Sequence, residues 1–322
     1  MKIASPISRP GEVPSLAKAG AGEFYCGVAP DAWQEKFGFV ESISRRNSPR
    51  AHVPTLRDME DLIRRAHRRG IPVHGVLNES YHQAQMGILE KQAGDYLDAG
   101  ADGIILGDVA SLYHLRNRGI SGPFTMGTGG VAFNLETLDY YHQLKVSRVI
   151  LPRHLDLDQI RHLIKQGPSM EYEVFIFRGL CPFIDGLCRF QHGINHTLNA
   201  KPSMDLACSA GFRVKCLMTC QKGKLPRSAS QNLTRRQSLT GCGLCALWDL
   251  ENIPGITALK VVGREFSSRE KLENLKMVAG ALDLLKEKPT KYEFFQACQE
   301  LFREFFRRDC TGKDCYHPEI TS

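Results

Sequence analysis

The sequence predicts an α/β fold: a TIM-barrel-like (β/α)8 barrel with a cysteine-rich insertion after strand 7 and a C-terminal helix. Three observations predict it. Eight short β-rich runs recur along the 322 residues. Most of them are apolar throughout, as strands buried on both faces of a parallel sheet are. Helical patterns follow most of them, and alternation of strand and helix implies a parallel sheet wrapped by helices.

The runs are KIASPI (2–7), GEFYCGV (22–28), IPVHGVLN (71–78), DGIILGD (102–108), PFTMGT (123–128), SRVILPR (147–153), YEVFIF (172–177) and TALKVVGR (257–264). A short helix, VPSLAKA, follows the first. LRDMEDLIRRAHRRG places Leu56, Met59, Leu62, Ile63 and Ala66 on one face and ends in Gly70, a C-terminal capping residue. GILEKQAGDYLDAG repeats the pattern with Leu89, Ala93 and Leu97 and ends in Gly100. Asn134 is a candidate N-cap for NLETLDYYHQLK, with Thr137 three residues on. DLDQIRHLIKQG is another helix, and a further one runs from Ser268 to about Lys286. The Phe-rich KYEFFQACQELFREFFRR is amphipathic and is expected to pack across the barrel or against an oligomer partner. The expected organisation is a barrel domain over 1–275, with the insertion at 178–250, and a helical extension over 276–322.

Active sites of such barrels lie at the C-terminal ends of the strands. The polar residues expected there are Asn78, Glu79, Asp108, Thr128, Arg153, His154, Arg178 and Arg264, and Cys26 ends the second strand. In such a barrel the long insertion after strand 7 is expected to hang over the same rim, and insertions of that length inside a compact domain are usually functional.

The opening segment MKIASPISRPGEV has no long apolar stretch, and no window reaches the ~18 apolar residues of a membrane span. A cytoplasmic location without a membrane partner is expected. In a reducing compartment clustered cysteines bind metal or do redox chemistry more often than they form disulfides. Of eleven cysteines, seven lie between 181 and 245: Cys181, Cys188, Cys208, Cys216, Cys220, Cys242 and Cys245. An iron–sulfur cluster needs about four thiolates. The spacing Cys181-x6-Cys188, then Cys208, then Cys242-x2-Cys245 supplies them. Zinc is the alternative, although only Cys242 and Cys245 form the tight pair that zinc sites favour. Cys216 and Cys220 lie among lysines, which lower a thiol pKa, and could supply the remaining ligand in place of Cys208 or hold a separate role. Cys26 and Cys298 are each alone in an apolar run and read as core residues. Cys310 and Cys315, in C-TGKD-C, admit a second small metal site, a redox pair or no role, and no role is the reading preferred.

The net charge is +7. Part of it is local: Arg213, Lys215, Lys222, Lys224, Arg227, Arg235 and Arg236 occur between Leu206 and Leu247 without an acidic residue. A basic 213–236 segment of this kind attracts a phosphate backbone such as RNA, or is simply a solvated loop.

Several segments, taken together, resemble peptidase family U32, the collagenase-like proteins. They are GAGEFYCG, AHRRGIPVHGVLN, AGADGIILGD, SRVILPRHLDLDQI, EVFIFRGLCPFIDGLC and LKVVGR, in that order, covering residues 1 to about 275. The resemblance implies a barrel-like fold and an oxygen-independent hydroxylase acting on RNA bases or quinone precursors. It also implies a 4Fe-4S cluster, and in some members prephenate as the oxygen source. Position by position, the family's cluster cysteines fall on Cys181, Cys188 and Cys208, with Cys242 or Cys245 as the fourth and Cys245 preferred. Three positions depart from the pattern: Arg178-Gly179 for His-Gly, His154 for Glu, and Lys260-Val-Val-Gly-Arg264 for Lys-Ile-Glu-Gly-Arg. Arg153, Lys260 and Arg264 are expected to hold a small carboxylate-bearing molecule, since guanidinium groups bind carboxylates bidentately. Asn78 and Asp108 are expected to orient the acceptor.

Two other readings accompany this one. The family's name implies a hydrolase, yet the chain has no G-x-S-x-G and no H-E-x-x-H. His52, His67, His74 and His82 have no obvious partner in sequence, and His192 with His196 reads as a polar loop. The third reading is a non-catalytic accessory subunit that binds RNA or a paired chain of the same family.

Overall fold

The computed structural model describes residues 1–37, 42–46, 48–181, 184–187, 241–312 and 314–320. Eight parallel strands close into a barrel in sequence order, with the first pairing the last. They are β1 (Lys2–Pro6), β2 (Ala21–Cys26), β3 (Val73–Leu77), β4 (Gly103–Leu106), β5 (Phe124–Met126), β6 (Arg148–Ile150), β7 (Glu171–Phe177) and β8 (Ile256–Val261). Each overlaps one of the eight predicted runs, so the predicted (β/α)8 barrel is the fold observed.

The helices around it are α1 (Val13–Lys18), α2 (Asp31–Lys36), α3 (Leu56–His67), α4 (Met86–Asp98), α5 (Val109–Asn117), α6 (Leu135–Gln143) and α7 (Leu157–Gln166). The one-turn α8 (Leu247–Leu250), then α9 (Ser268–Lys286) and α10 (Lys291–Phe306), complete the chain. Side-chain caps fix where they start. Thr55, Asp108, Asn134, Asp156, Ser267 and Thr290 each accept a backbone N–H from the first turn of the helix that follows. The cap predicted at Asn134 accepts the Thr137 N–H at 2.9 Å. Gly70 and Gly100 take left-handed φ values of 68° and 94° just past α3 and α4. A boundary between 275 and 276 falls inside α9, which packs on β1 and α10.

Tyr96 shows how tightly helix and barrel are joined. Its ring lies over Gly75 of β3, where even a Cβ would stand 2.3 Å from the ring. From there its hydroxyl accepts the Val28 N–H at 2.6 Å and donates to the Val28 carbonyl at 3.1 Å.

Because strand side chains alternate, the inward residues form layers. The layer nearer the strand starts is charged. Arg148 lies against Glu23, Glu171 (2.7 Å) and Glu173 (3.4 Å), and Lys260 donates to Glu173 at 2.7 Å. His74 stands 3.9 Å from Glu23 in the same layer. Burial alone would raise the Glu173 pKa, yet the Lys260 and Arg148 cations hold it below the usual carboxylate range. Two residues further along the strands, Tyr25, Val76, Ile105, Ile150 and Phe175 form an apolar layer, and Tyr316 of the C-terminal tail closes it from above.

Removing Glu173 would leave Lys260 buried without its anion. Glu173→Ala is expected to lower the unfolding free energy by about 3–5 kcal/mol. Adding Lys260→Met to it should restore much of the loss. Urea unfolding of the three proteins checks this, and a single-variant loss under ~1 kcal/mol would mean that the interior is wet enough to screen the pair.

Candidate functional site

The mouth of the barrel, at the C-terminal ends of the strands, is built from the loops after β5, β6 and β7 and from the tail. Arg153, three residues past β6, points across it. Its guanidinium donates to the Gly179 carbonyl and to Asp185 Oδ2 at 2.6 Å, and lies 4.3 Å from the centre of the Phe175 ring. Its Nε is buried without a partner among the described residues. Arg45 donates to the Asp185 backbone carbonyl at 2.8 Å, tying the 42–46 loop to the same point. Burial would raise the Asp185 pKa, but Arg153, with help from the Thr128 hydroxyl, holds it at about 2.

Tyr316 lies above Phe175, with ring centres 6.2 Å apart, and its hydroxyl donates to the Arg178 carbonyl. Arg178 adopts φ 62° just after β7 and donates its N–H to Gly241 at 2.7 Å, which turns the chain across the rim. Burial lowers its pKa, and its guanidinium lies over Phe266 and Phe306 at 5.0 and 5.7 Å. Cys181 follows. It is half-buried, is not in a disulfide, and acts electrostatically on both Arg153 and Tyr316.

The other residues expected at the site divide into two groups. Asn78 is half-buried at the rim, its Oδ1 without a partner among the described residues. Thr128 is there with Asp185. Glu79 is buried beside them and accepts the Ser80 N–H at 3.0 Å. His154 is exposed against Phe133. Asp108, by contrast, caps α5, its two oxygens taken by the Ser111 N–H (2.9 Å) and hydroxyl (2.7 Å). Lys260 lies within the barrel, paired with Glu173 and 4.0 Å from the centre of the Tyr25 ring. Arg264 is only 5% exposed and donates to Ser44 Oγ at 3.0 Å and to the Ser44 carbonyl at 2.6 Å. Burial and the neighbouring Arg46 lower its pKa to about 10. Of the three predicted cations, Arg153 and Arg264 lie past the C-terminal ends of β6 and β8, and Lys260 lies inside the barrel.

The cysteines divide as well. Cys26 and Cys298 are buried, as core residues should be. Cys242, bridged to Phe177, turns into the outer core between barrel and helices, and Cys245 packs there too. Cys188, Cys208, Cys216 and Cys220 lie outside the described residues, as do the basic 213–236 segment, His192 and His196. The histidines without an evident sequence partner have neighbours in the fold: His74 faces Glu23 and His82 meets the Phe37 ring. His67 meets Asp102 at 2.8 Å on the opposite, N-terminal face of the barrel, and His52 Nε2 meets the Arg46 carbonyl at 2.7 Å.

Residues 11–318 match the model of peptidase family U32. The chain belongs to that family. Among curated relatives, it is 29% identical over 133 residues to the tRNA hydroxylation protein P of Escherichia coli (strain K12), covering 41% of this chain and 29% of that protein. It is 25% identical over 210 residues to the 23S rRNA 5-hydroxycytidine synthase of the same organism, covering 65% of this chain and 30% of that one. The chain thus spans about a third or less of the length of these relatives. A solved structure of the U32 peptidase Mk0906 superposes over 55% of this chain and 69% of its own, with a TM-score of 0.42 and 13% identity. Among the described residues no helix is long and apolar enough to cross a membrane.

The Arg153–Asp185 pair makes a pH prediction. The folded pKa of Asp185 lies below its unfolded value near 3.8. The stability it contributes is therefore present above that value and lost as pH falls through about 2. The unfolding free energies of wild type and Asp185→Asn should differ by roughly 2 kcal/mol at neutral pH. The difference should hold to about pH 4 and close below it; a difference that does not change with pH would mean that Arg153 does not govern this carboxylate.

Proposed function

We propose that the chain is an iron–sulfur-dependent enzyme that hydroxylates an RNA base without molecular oxygen. The observation that carries the reading is Cys181, the first cysteine of the cluster motif, at the barrel mouth beside Arg153. Family membership and the relatives' names for tRNA and rRNA hydroxylation support it. Cys181 fits a cluster ligand in chemistry and place: a half-buried thiol at the end of β7, next to a guanidinium that offsets thiolate charge. Cys188 and Cys208, with a fourth cysteine, would complete the ligand set. A bound cluster would supply electron transfer or an open iron for the substrate.

The protein's own residues would bind and orient. Arg153 is neutralised by Asp185 in the closed arrangement. A carboxylate-bearing oxygen donor would take the place of Asp185 on the Arg153 guanidinium or engage the unpartnered Nε. Asn78 is the rim amide placed to meet the acceptor base. Lys260 would act from within the barrel through Glu173, and Arg264 by holding the 42–46 loop in place. The basic 213–236 segment would attract the RNA backbone.

Full-length protein purified without oxygen is expected to be brown, with iron and sulfide near about four per chain, and Cys181→Ser should lose both. RNA from cells lacking the chain should be lighter by one oxygen atom at a single base, measured by mass spectrometry of nuclease digests. Iron-free wild-type protein, or unchanged RNA, would overturn the reading.

A further inference from the structure

Arg178, half-buried just past β7, stands where the family pattern has a histidine. Its guanidinium lies over the rings of Phe266 and Phe306. Both rings are fixed in place. Phe306 is the last residue of α10. Phe266 donates its N–H to the Gly263 carbonyl at 3.0 Å, and its ring lies against Gly263, where any Cβ would clash with it. The rings attract the cation through their π-faces, yet they leave the N–H donors in its plane without acceptors. Among the described residues the Arg178 side chain has no hydrogen-bond or ion-pair partner. Glu270 and Glu273 act on it electrostatically, but both are engaged elsewhere. Glu270 accepts the Ser267 N–H at 3.0 Å and its hydroxyl at 2.8 Å, and Glu273 accepts from Arg269 at 2.7 Å.

Arg178 is not the only such group on this face. The loops after β2, β7 and β8 carry Arg45, Arg46, Arg50, Arg178 and Arg264. Among the described residues, Arg46 alone of these has a carboxylate within ion-pair distance, Glu265 at 3.3 Å. Arg45 donates to the Asp185 backbone carbonyl, and Arg264 donates to Ser44. A carbonyl or hydroxyl satisfies a donor without cancelling its charge. Arg50 is exposed on the single turn Pro49–Ala51, and it acts on Glu270 together with Arg178. Arg46 and Arg264 also act on each other as like charges. A small carboxylate needs one guanidinium, and Arg153 supplies it. Several separated cations that few anions answer fit a ligand whose charges repeat along its length.

We propose that Arg178 and Arg50 bind phosphates of the RNA backbone at the rim, so that the strand passes the ends of β7 and β8 and one base enters the mouth. A guanidinium fork meets two oxygens of a phosphate at once. Arg178 is already held by Phe266 and Phe306, so it loses little side-chain freedom when it binds. Such contacts fix the register of the strand without reading its sequence. The Arg178 carbonyl accepts from Tyr316, which lies over Phe175, so a phosphate held here is tied to the floor of the mouth through one residue. The proposal rests on the reading that the substrate is RNA and adds where its backbone is held. Arg153 and the cluster cysteines keep the roles given above.

The test is the affinity of full-length protein for a fluorescein-labelled oligouridylate, read by anisotropy across a salt series. The proteins are wild type, Arg178→Gln, Arg178→Lys, Arg50→Gln and Arg69→Gln. Arg69 is exposed just past α3, toward the opposite end of the barrel, and its loss removes the same charge away from the mouth. Arg178→Gln and Arg50→Gln are each expected to weaken binding roughly five- to tenfold at low salt and to lower the slope of log affinity against log salt by about 0.7, the value for one phosphate contact on a single strand. Arg178→Lys should keep the slope and lose part of the affinity, because the charge stays and the fork is lost. Arg69→Gln should match wild type. Arg50 is exposed, so its variant decides the matter even if Arg178→Gln does not fold. Wild-type slopes in both glutamine variants, an equal loss in Arg69→Gln, or a slope lost equally in Arg178→Lys would overturn the proposal and leave the hydroxylase reading, which is tested on iron and RNA mass, in place. Wild type that binds no RNA at low salt would also overturn it, and iron content and RNA mass would then decide the wider reading by themselves.

Discussion

Arg148 sits inside the barrel with a carboxylate on three sides, and the rest of the molecule is arranged over that arrangement. An arginine at the start of a three-residue strand is affordable only if its charge is met where it lies. Glu23 from β2, Glu171 and Glu173 from β7 meet it, and Lys260 from β8 balances Glu173 in turn. Because the ions come from strands on different sides of the barrel, they fix its cross-section from within. A slip of one residue in any of these strands would turn its charge into the apolar outer core. Tyr25, Ile150 and Phe175 are then set as a floor two residues above, and the mouth begins on that floor.

The strands could be read from the sequence because burial on both faces makes a continuous apolar run, and the run ends where the loops begin. The charges within those runs were harder to place. Lys260 and Arg264 fall near the end of the last strand, and position alone suggests a rim. In three dimensions Lys260 is an inward residue of the strand itself, held by Glu173, whose own run gives no sign of its partner. Arg264 is held by Ser44, 220 residues away. Asp108 was legible in a different sense: an aspartate directly before a helix is a cap first, and both its oxygens are spent on Ser111. Asp185 lies within the motif that drew attention to Cys181, yet only its contact with Arg153 reveals it. Tyr316 had no local signal, because what places it is a bridge between segments more than seventy residues apart.

At the mouth the charges are paired with one another. Arg153 faces Asp185, and Arg45 holds the same residue by its backbone. A site built in this way is preorganised but self-satisfied. An anionic ligand must then compete with an internal carboxylate, which favours ligands that carry a carboxylate of their own over weaker acceptors such as neutral carbonyls.

The tail bears on this mouth more than its place at the end of the chain suggests. Tyr316 reaches the Arg178 carbonyl and the Phe175 ring only because Cys242 and Cys315 run side by side one residue earlier. α10 contributes by covering the same corner: Phe305 and Phe306 lie against Phe177, 5.8 and 6.1 Å between ring centres. The end of β7 is therefore held from two sides, by aromatic packing outside the barrel and by the tail bridge above it. Cys181 follows that strand end by four residues. Cys181 is thus positioned by the C-terminal segment as much as by the barrel, and a change in the tail that left every strand intact would still be felt at the mouth.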